Sequence, residues 1–468
     1  MGRSLGTPAN EPAGEFVHQP SGSTVRILWK NGVMHHRVEE RGLSADYPIV
    51  YSIGKGKVGK SYLMELGGHL FQSPAAYYST HSEWNAAPGY ESEHVLDFSR
   101  AITSDCLFCH TGSVKQTAAK TELAPISCDR CHGPLETHLQ RPIPGSIVNP
   151  AKLSVRERDS VCEQCHLEGA TTVLNPDRGW WDFRPGQALE QFETNYVYRT
   201  TDDQRRSLPA VSQAEQLALS ACLRGSGGKL WCGTCHDPHG TPVNRKQQIK
   251  QICESCHVAA QIASNHVGSP DNCVECHMPS RQAGDVSHAA VTDHRITKYP
   301  EAPPNPKTDK FLAAWHDPPA GLAERNLGLA LFYTARQQHS REGFQQAFRV
   351  LSRLPGDNDP PVAAAKGYML LGSGEAQRAV EYFKVAVRKT PNDAEYWLDL
   401  GVAEGAVNDS SQAIAALQRS IEENPYDYRP YKALADLYKR TDQIDKVQLP
   451  VDRFLKLVPE SIGMRLPR

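Results

Sequence analysis

Six times between Cys106 and His277, two cysteines three positions apart are followed at once by a histidine. The sets are Cys106/Cys109/His110, Cys128/Cys131/His132, Cys162/Cys165/His166, Cys232/Cys235/His236, Cys253/Cys256/His257 and Cys273/Cys276/His277. At this spacing two thiols add to the vinyl groups of one haem, and the adjacent imidazole reaches its iron. Roughly 0.015 such pentapeptides are expected by chance at this composition, so six are no accident. Paired CxxC motifs also hold zinc, and in an exported protein they form disulfides. Neither chemistry demands a His after every second Cys. The motifs therefore imply six covalently attached haem c groups with their iron.

What each iron can do depends on its sixth position. A second His keeps it low-spin and closes it to substrate. Five histidines are placed for this by their spacing: His138 in CHGPLETH, His239 in CHDPH, His266 between the last two motifs, and His288 and His294 in VSHAAVTDH. Each lies too close to its own motif to fold over the same ring, and is expected over a neighbour's. His18, in FVHQPSGS, is the sixth candidate, preferred to His35 and His36. His69, His81, His94, His316 and His339 read as surface residues. Six capped irons leave no catalytic residue, so the expectation is an electron carrier. The alternative is a multihaem oxidoreductase acting on a small nitrogen or sulfur compound at one open haem. Cys222, the one cysteine outside the motifs, reads as a small buried thiol, with sulfur ligation the sharper alternative.

The elements that must position these residues divide the chain into four. Residues 1–100 read as a β-rich subdomain, with TVRILW and VMHHRVE flanking the hairpin signal Asn31-Gly32. Within it, Gly54 to Ser61 matches the phosphate-binding P-loop pattern, but YLMEL and Gly67-Gly68 leave no room for the long helix a P-loop needs. A hairpin with a basic turn fits better, and no nucleotide is expected. Residues 101–297 form a loop-rich haem domain whose short helices carry the Cys-His motifs. Six haems in that span leave about 29 residues per haem between Cys106 and His277, too few to insulate the rings from one another. Trp180 and Trp181 are expected in core packing. KYPEAPPNPK opens a Pro-rich linker over 298–318.

Residues 319–462 read as an α-solenoid. Pro391, Pro425 and Pro459 recur at the 34-residue tetratricopeptide period. Small and large positions match around them: Gly367, Ala379, Phe383 and Ala386, then Trp397, Leu400, Gly401 and Ala413, then Tyr431, Leu434, Ala435 and Tyr438. Residues 319–356 read as a degenerate opening repeat. The chain is thus expected to be mainly α overall.

The net charge of −2 and mean hydropathy of −0.51 give no basis for nucleic-acid binding, and no apolar run reaches the length of a membrane span. Haem is normally attached outside the bacterial cytoplasm, yet MGRSLGTPANEPAGEF lacks the apolar core of an export signal. The expectation is an extracytoplasmic protein, periplasmic or at the cell exterior, whose signal lies upstream of Met1 or has been removed.

On these residues the chain resembles bacterial multihaem c-type cytochromes with C-terminal tetratricopeptide repeats, related to the cytochrome c554 and multihaem-reductase superfamily. The stretches that carry the resemblance are YSIGKGKVGKSYLMELGGHLFQSP, CDRCHGPLETH, VNPAKL, VCEQCHLEG, GGKLWCGTCHDPHG and CVECHMPS with HAAVTDHRI, over about 10–297. It implies an exported electron-transfer protein. The expectation is a carrier between redox donor and acceptor proteins, with the repeats either docking a partner or a second copy or serving as a structural cap. Relatives often carry a further CxxCH before a stretch like MGRSL. Nitrite reductases of the superfamily use a CxxCK motif, which this chain lacks.

Overall fold

The computed structural model describes residues 4–54, 56, 58–117, 120–200, 209–240, 244–257, 272–283, 290–297, 310–355 and 358–465. The chain begins in a sheet of eight antiparallel strands: β1 (Leu5–Gly6), β2 (Gly14–His18), β3 (Ser23–Lys30), β4 (Val33–Glu40), β5 (Leu43–Ile53), β6 (Gly59–Leu66), β7 (His69–Tyr78) and β8 (Glu83–Ala86). β2 to β8 pair in chain order, and β1 adds to β5. Asn31 and Gly32 both take positive φ, 50° and 79°, the conformation of a two-residue hairpin turn, and Lys30 pairs with Val33 across it. Alternate residues of β3 and β4, among them Val25, Ile27, Met34 and Val38, face a core closed by Tyr62, Met64 and Trp84. The sheet curls until its ends meet. A Cβ on Gly14 of β2 would lie 2.7 Å from Trp84 of β8, so only glycine fits. Ser61, the last residue of the P-loop look-alike, pairs with Ala76 inside β6. No helix follows it.

Short helices carry or flank the motifs: α1 (Ser104–His110), α2 (Asp129–His132), α3 (Glu136–Gln140), α4 (Val155–His166), α5 (Gln213–Ala218), α6 (Ala221–Gly225), α7 (Cys232–Cys235), α8 (Arg245–Glu254) and α9 (Cys273–His277). Positions i and i+3 share a helix face, so the two thiols of a motif point one way. α4 is the longest of these, and Ser154 with Glu157 closes its N-terminus as a capping box. Hairpins β9 (Ser113–Gln116) with β10 (Thr121–Ala124), and β13 (Ser280–Gln282) with β14 (Ala290–Thr292), fill the gaps.

The expected linker is corrected in part. Its first residues, 298–309, lie outside the described residues, but Lys310–Ala314 forms a strand, β15. It completes a three-stranded sheet with β11 (Thr171–Leu174) and β12 (Glu193–Thr200) of the motif-bearing region. KFLAA carries too few β-branched residues to announce itself as a strand, but backbone pairing with Tyr196–Thr200 makes it one.

Beyond it the solenoid stacks helical hairpins: α10 (Ala323–Gln338) with α11 (Arg341–Leu351), α12 (Pro360–Gly372) with α13 (Ala376–Lys389), α14 (Ala394–Ala406) with α15 (Ser410–Glu423), and α16 (Tyr428–Arg440) with α17 (Gln448–Leu457). Asp359, Asp393 and Asp427, 34 residues apart, each cap the first helix of a hairpin with a side-chain oxygen. Trp397 donates to the Pro391 carbonyl at 2.7 Å, and Tyr431 to that of Pro425 at 3.0 Å, so this contact repeats as well.

Neither end of the solenoid stands free. α10 shares one core with Val173 and Tyr196 of the three-stranded sheet, and Asn326 donates to Asn175 and Thr194. At the other end α18 (Ile462–Arg465) docks on the first sheet. Ile462 is 0% exposed in that sheet's core, and Asp97 accepts hydrogen bonds from Ser461 Oγ and Gly463 N, both at 2.9 Å. The Asp46 amide donates to Glu460 at 2.6 Å.

Candidate haem centre

The first three motifs meet at one point, and the residues between their cysteines tie them together. Arg130, inside the second motif, donates through Nη2 to the carbonyl of Phe108 in the first at 2.9 Å. Its guanidinium lies over the Phe108 ring at 4.0 Å and the Trp181 ring at 5.2 Å. Gln164, inside the third, donates to the Arg130 carbonyl at 3.0 Å, and its own carbonyl accepts from Cys109 Sγ at 3.7 Å. The thiols of Cys109 and Cys165 hydrogen-bond to each other, which with burial pushes the Cys109 thiol up. Trp180 and Trp181, both half-buried, pack on Phe108.

From this knot the remaining motifs follow in file. Cys162 of the third hydrogen-bonds Cys232 of the fourth, while Arg158 lies over Trp231 at 5.1 Å and donates to the Gly228 carbonyl at 3.1 Å. Cys253 of the fifth, held at about 11 by burial first and then by Cys273, hydrogen-bonds that residue of the sixth. Cys222 is half-buried and unpaired, close enough for its charge to bear on Cys235 and Cys253.

The histidines face one another across motifs. The rings of His132 and His239 lie 5.8 Å apart, inclined at 21°, and those of His236 and His294 lie 6.2 Å apart at 23°. Two imidazoles sharing one metal at about 2.0 Å each have ring centroids about 6 Å apart. The tautomers suit this as well. Nδ1 of His132, His277 and His294 lies 2.7, 2.8 and 2.8 Å from the carbonyl oxygens of Val148, Thr297 and Thr292. A carbonyl only accepts, so Nδ1 carries the proton and Nε2 keeps its lone pair for a metal. Nδ1 of His138 meets Ser146 Oγ at 2.7 Å, and that of His166 meets Gln213 Oε1 at 3.3 Å.

The comparisons with known proteins agree with this chemistry. A family model described as a doubled CXXCH motif matches residues 225–262, which hold the fourth and fifth motifs. The multiheme cytochrome MtrA of Shewanella baltica is 25% identical over 223 residues, 40% of this chain and 63% of that protein. The chain resembles a multihaem cytochrome. A PEX5-related protein of Mus musculus is 28% identical over 133 residues, 28% of this chain and 22% of the relative. The chain thus spans less than two thirds of either relative. Among solved structures, MamA is 17% identical, covering 30% of this chain and 82% of that one at a TM-score of 0.26. MamA 41-end from Desulfovibrio magneticus RS-1 is 20% identical over 30% and 77%, at 0.25.

The residues fit haem c. Paired thiols, an adjacent imidazole and a second imidazole held with Nε2 free are the donor set it takes. The ring of His239 lies against His132 of the second motif rather than its own His236; its side chain is 74% exposed, beside Asp237 at 3.3 Å. His294 stands over the fourth rather than the sixth. His266 and His288 lie outside the described residues.

His18 needs correction. It ends β2, is 4% exposed, and bonds through Nδ1 to Ser21 Oγ at 2.8 Å, while Nε2 is enclosed without a partner. Ser21 and Ser23 carry the chain of hydrogen bonds on to Glu40. An imidazole whose Nε2 has no open surface cannot meet an iron, and only the fold of the sheet makes this visible. His36, the residue passed over, is a core residue too. Burial, with the charge of His35, lowers it to about 3, and it donates to or accepts from Ser73 at 2.6 Å. His316 is not a plain surface residue: with Trp315 it binds Glu163, the residue beside Cys162. The sequence reading missed Arg130, Glu163 and Gln164, because residues inside CxxCH look like spacers until their partners are known.

Proposed function

We propose that the chain carries electrons between extracytoplasmic redox proteins through six covalently bound haems, with the solenoid docking a partner or a second copy. Each cysteine pair would hold one haem through its vinyl groups, and His110, His132, His166, His236, His257 and His277 would bind the irons. His239 and His294 would add the second imidazole to the irons of His132 and His236. His138, His266 and His288 are proposed for others. The observation that carries this reading is the pair of facing imidazoles at 5.8 and 6.2 Å, each joining histidines from different stretches of chain. Bound haem supplies reversible one-electron chemistry. The chain's own part is to hold the imidazoles, fix their tautomers and bring the motifs together. Mass spectrometry of the denatured protein should show six haem additions. His239→Ala should keep all six and convert one iron to high spin, and an unchanged spin state would leave His239 without this role.

One observation favours the second reading, an oxidoreductase working on a small nitrogen or sulfur compound at an open haem. With His18 enclosed in the sheet, the five other candidates leave one of the six irons without a named second histidine. A high-spin signal in the native oxidised protein, with carbon monoxide binding on reduction, would support it. Purely low-spin spectra would leave the carrier.

A further inference from the structure

We infer that Arg130 sets the redox level of the junction at which motifs one, two and three meet, acting as the shared positive charge of the haems bonded there. The inference rests on the haem reading above.

Arg130 sits where three motifs converge. It belongs to the second, donates to the Phe108 carbonyl of the first, hydrogen-bonds Cys165 of the third, and accepts Gln164 on its own carbonyl. Its charge bears on Cys109, Cys131 and Cys165, one attachment thiol from each motif. Among the described residues no carboxylate lies within ion-pair reach of it, whereas Arg156 and Arg158 nearby are paired with Glu163 and Asp159. The rings of Phe108 and Trp181 lie against the guanidinium, which is half-buried.

A haem held there would take one electron from a donor protein on reduction and give it up to an acceptor on reoxidation, and its reduced form would carry one positive charge less than its oxidised form. A fixed cation close by disfavours the ferric form, and the more so where water is excluded. Glu193 is the opposing group: it bears on Cys109 and Cys165, is buried and accepts from Asn195 at 2.9 Å. Around the fifth and sixth motifs the cations among the described residues include Lys246 and Lys250, each beside a carboxylate, Glu275 at 4.0 Å and Glu254 at 3.7 Å. Cys256 and Cys276 of these motifs are exposed. Electrons therefore run downhill from the single file toward the junction, and rest there.

Potentiometric titration of the fully loaded protein tests this, with haem counted by mass on the same samples. Arg130→Gln should keep six haems and lower the highest-potential waves by about tenfold in reduction equilibrium, about 59 mV for a one-electron couple. Arg130→Lys should titrate like the native protein. A glutamine variant that superimposes on the native curve overturns the proposal. A lysine variant that shifts as far as the glutamine one also overturns it, because packing rather than charge would then be responsible. Should Arg130→Gln load fewer haems, Glu193→Gln carries the test at about pH 8, where native Glu193 is ionised. It must move the same waves upward, and waves that stay put overturn the inference. Failure of the haem reading itself would show separately, as missing haem in the native protein.

Discussion

A carboxyl group with almost no water around it reports its surroundings through pH. Burial raises Glu193 from its ordinary 4.5 to about 7, and the Asn195 hydrogen bond offsets only part of that. Between those two values the folded chain holds a proton that the unfolded chain has released. Stability from this group is therefore complete below about 4.5 and is lost as pH rises through 7. Thermal unfolding measured across that window should show Glu193→Gln gaining on the native protein as pH rises, with the difference levelling off above 7. A constant difference between the two would mean that Glu193 is ionised in the fold throughout. Asp46 runs the other way. Hydrogen bonds from Lys30, His35 and Arg37 overcome its burial and hold it at about 2, so its contribution fails only in strong acid.

At the scale of elements, α4 does for the motifs what a keystone does for an arch. Glu163 and Gln164, neighbours inside its CxxCH, point to opposite partners: Glu163 to Trp315 and His316 beyond β15, Gln164 to Arg130 of the second motif. The solenoid rests on close helix approach instead. A Cβ on Gly401 would meet Leu417 Cγ at 2.6 Å, and one on Gly367 would meet Phe383 at 2.9 Å. In an exposed helix Gly→Ala stabilises by about 1 kcal/mol. Here the clash should reverse the sign, so that Gly401→Ala lowers stability by about 1–3 kcal/mol in chemical denaturation. A stabilised variant would mean that Leu417 turns aside freely. The repeats were legible in the sequence because each contact lies within one period, from Pro391 and Trp397 to Gly401 and Ala413. The motifs were legible because the chemistry fixes their spacing. The facing of His132 with His239, and of Cys162 with Cys232, was not. It depends on how separate helices pack, and no local pattern records that. His18 misled for the same reason: a lone histidine in a strand looks alike whether its ring meets an iron or a serine.

For the molecule as a whole, a Pro-rich stretch separates the repeats from the motifs in sequence, but shared cores join them in space. A chain ending near Pro303 would lose β15 from the three-stranded sheet, the Trp315 and His316 anchors of Glu163, and Ile462 from the core of the first sheet. It should aggregate or load less haem than the full chain, as haem-to-protein ratio and gel filtration would show. A soluble, fully loaded fragment would mean that these contacts only dock finished parts.

The contact of α18 with the first sheet also bears on the order in which the chain can fold. Asp97 and Ser461 are 364 residues apart in sequence, yet they share a buried hydrogen bond. Pairings so distant close slowly, because the whole intervening loop must be ordered or restrained first. The first sheet is synthesised early but stays short of a core residue until residue 462 has emerged. During that interval the motif-bearing segments between them are not yet held by this contact, so haem attachment to their paired thiols can precede it, and the arrival of Ile462 then completes the core of the first sheet.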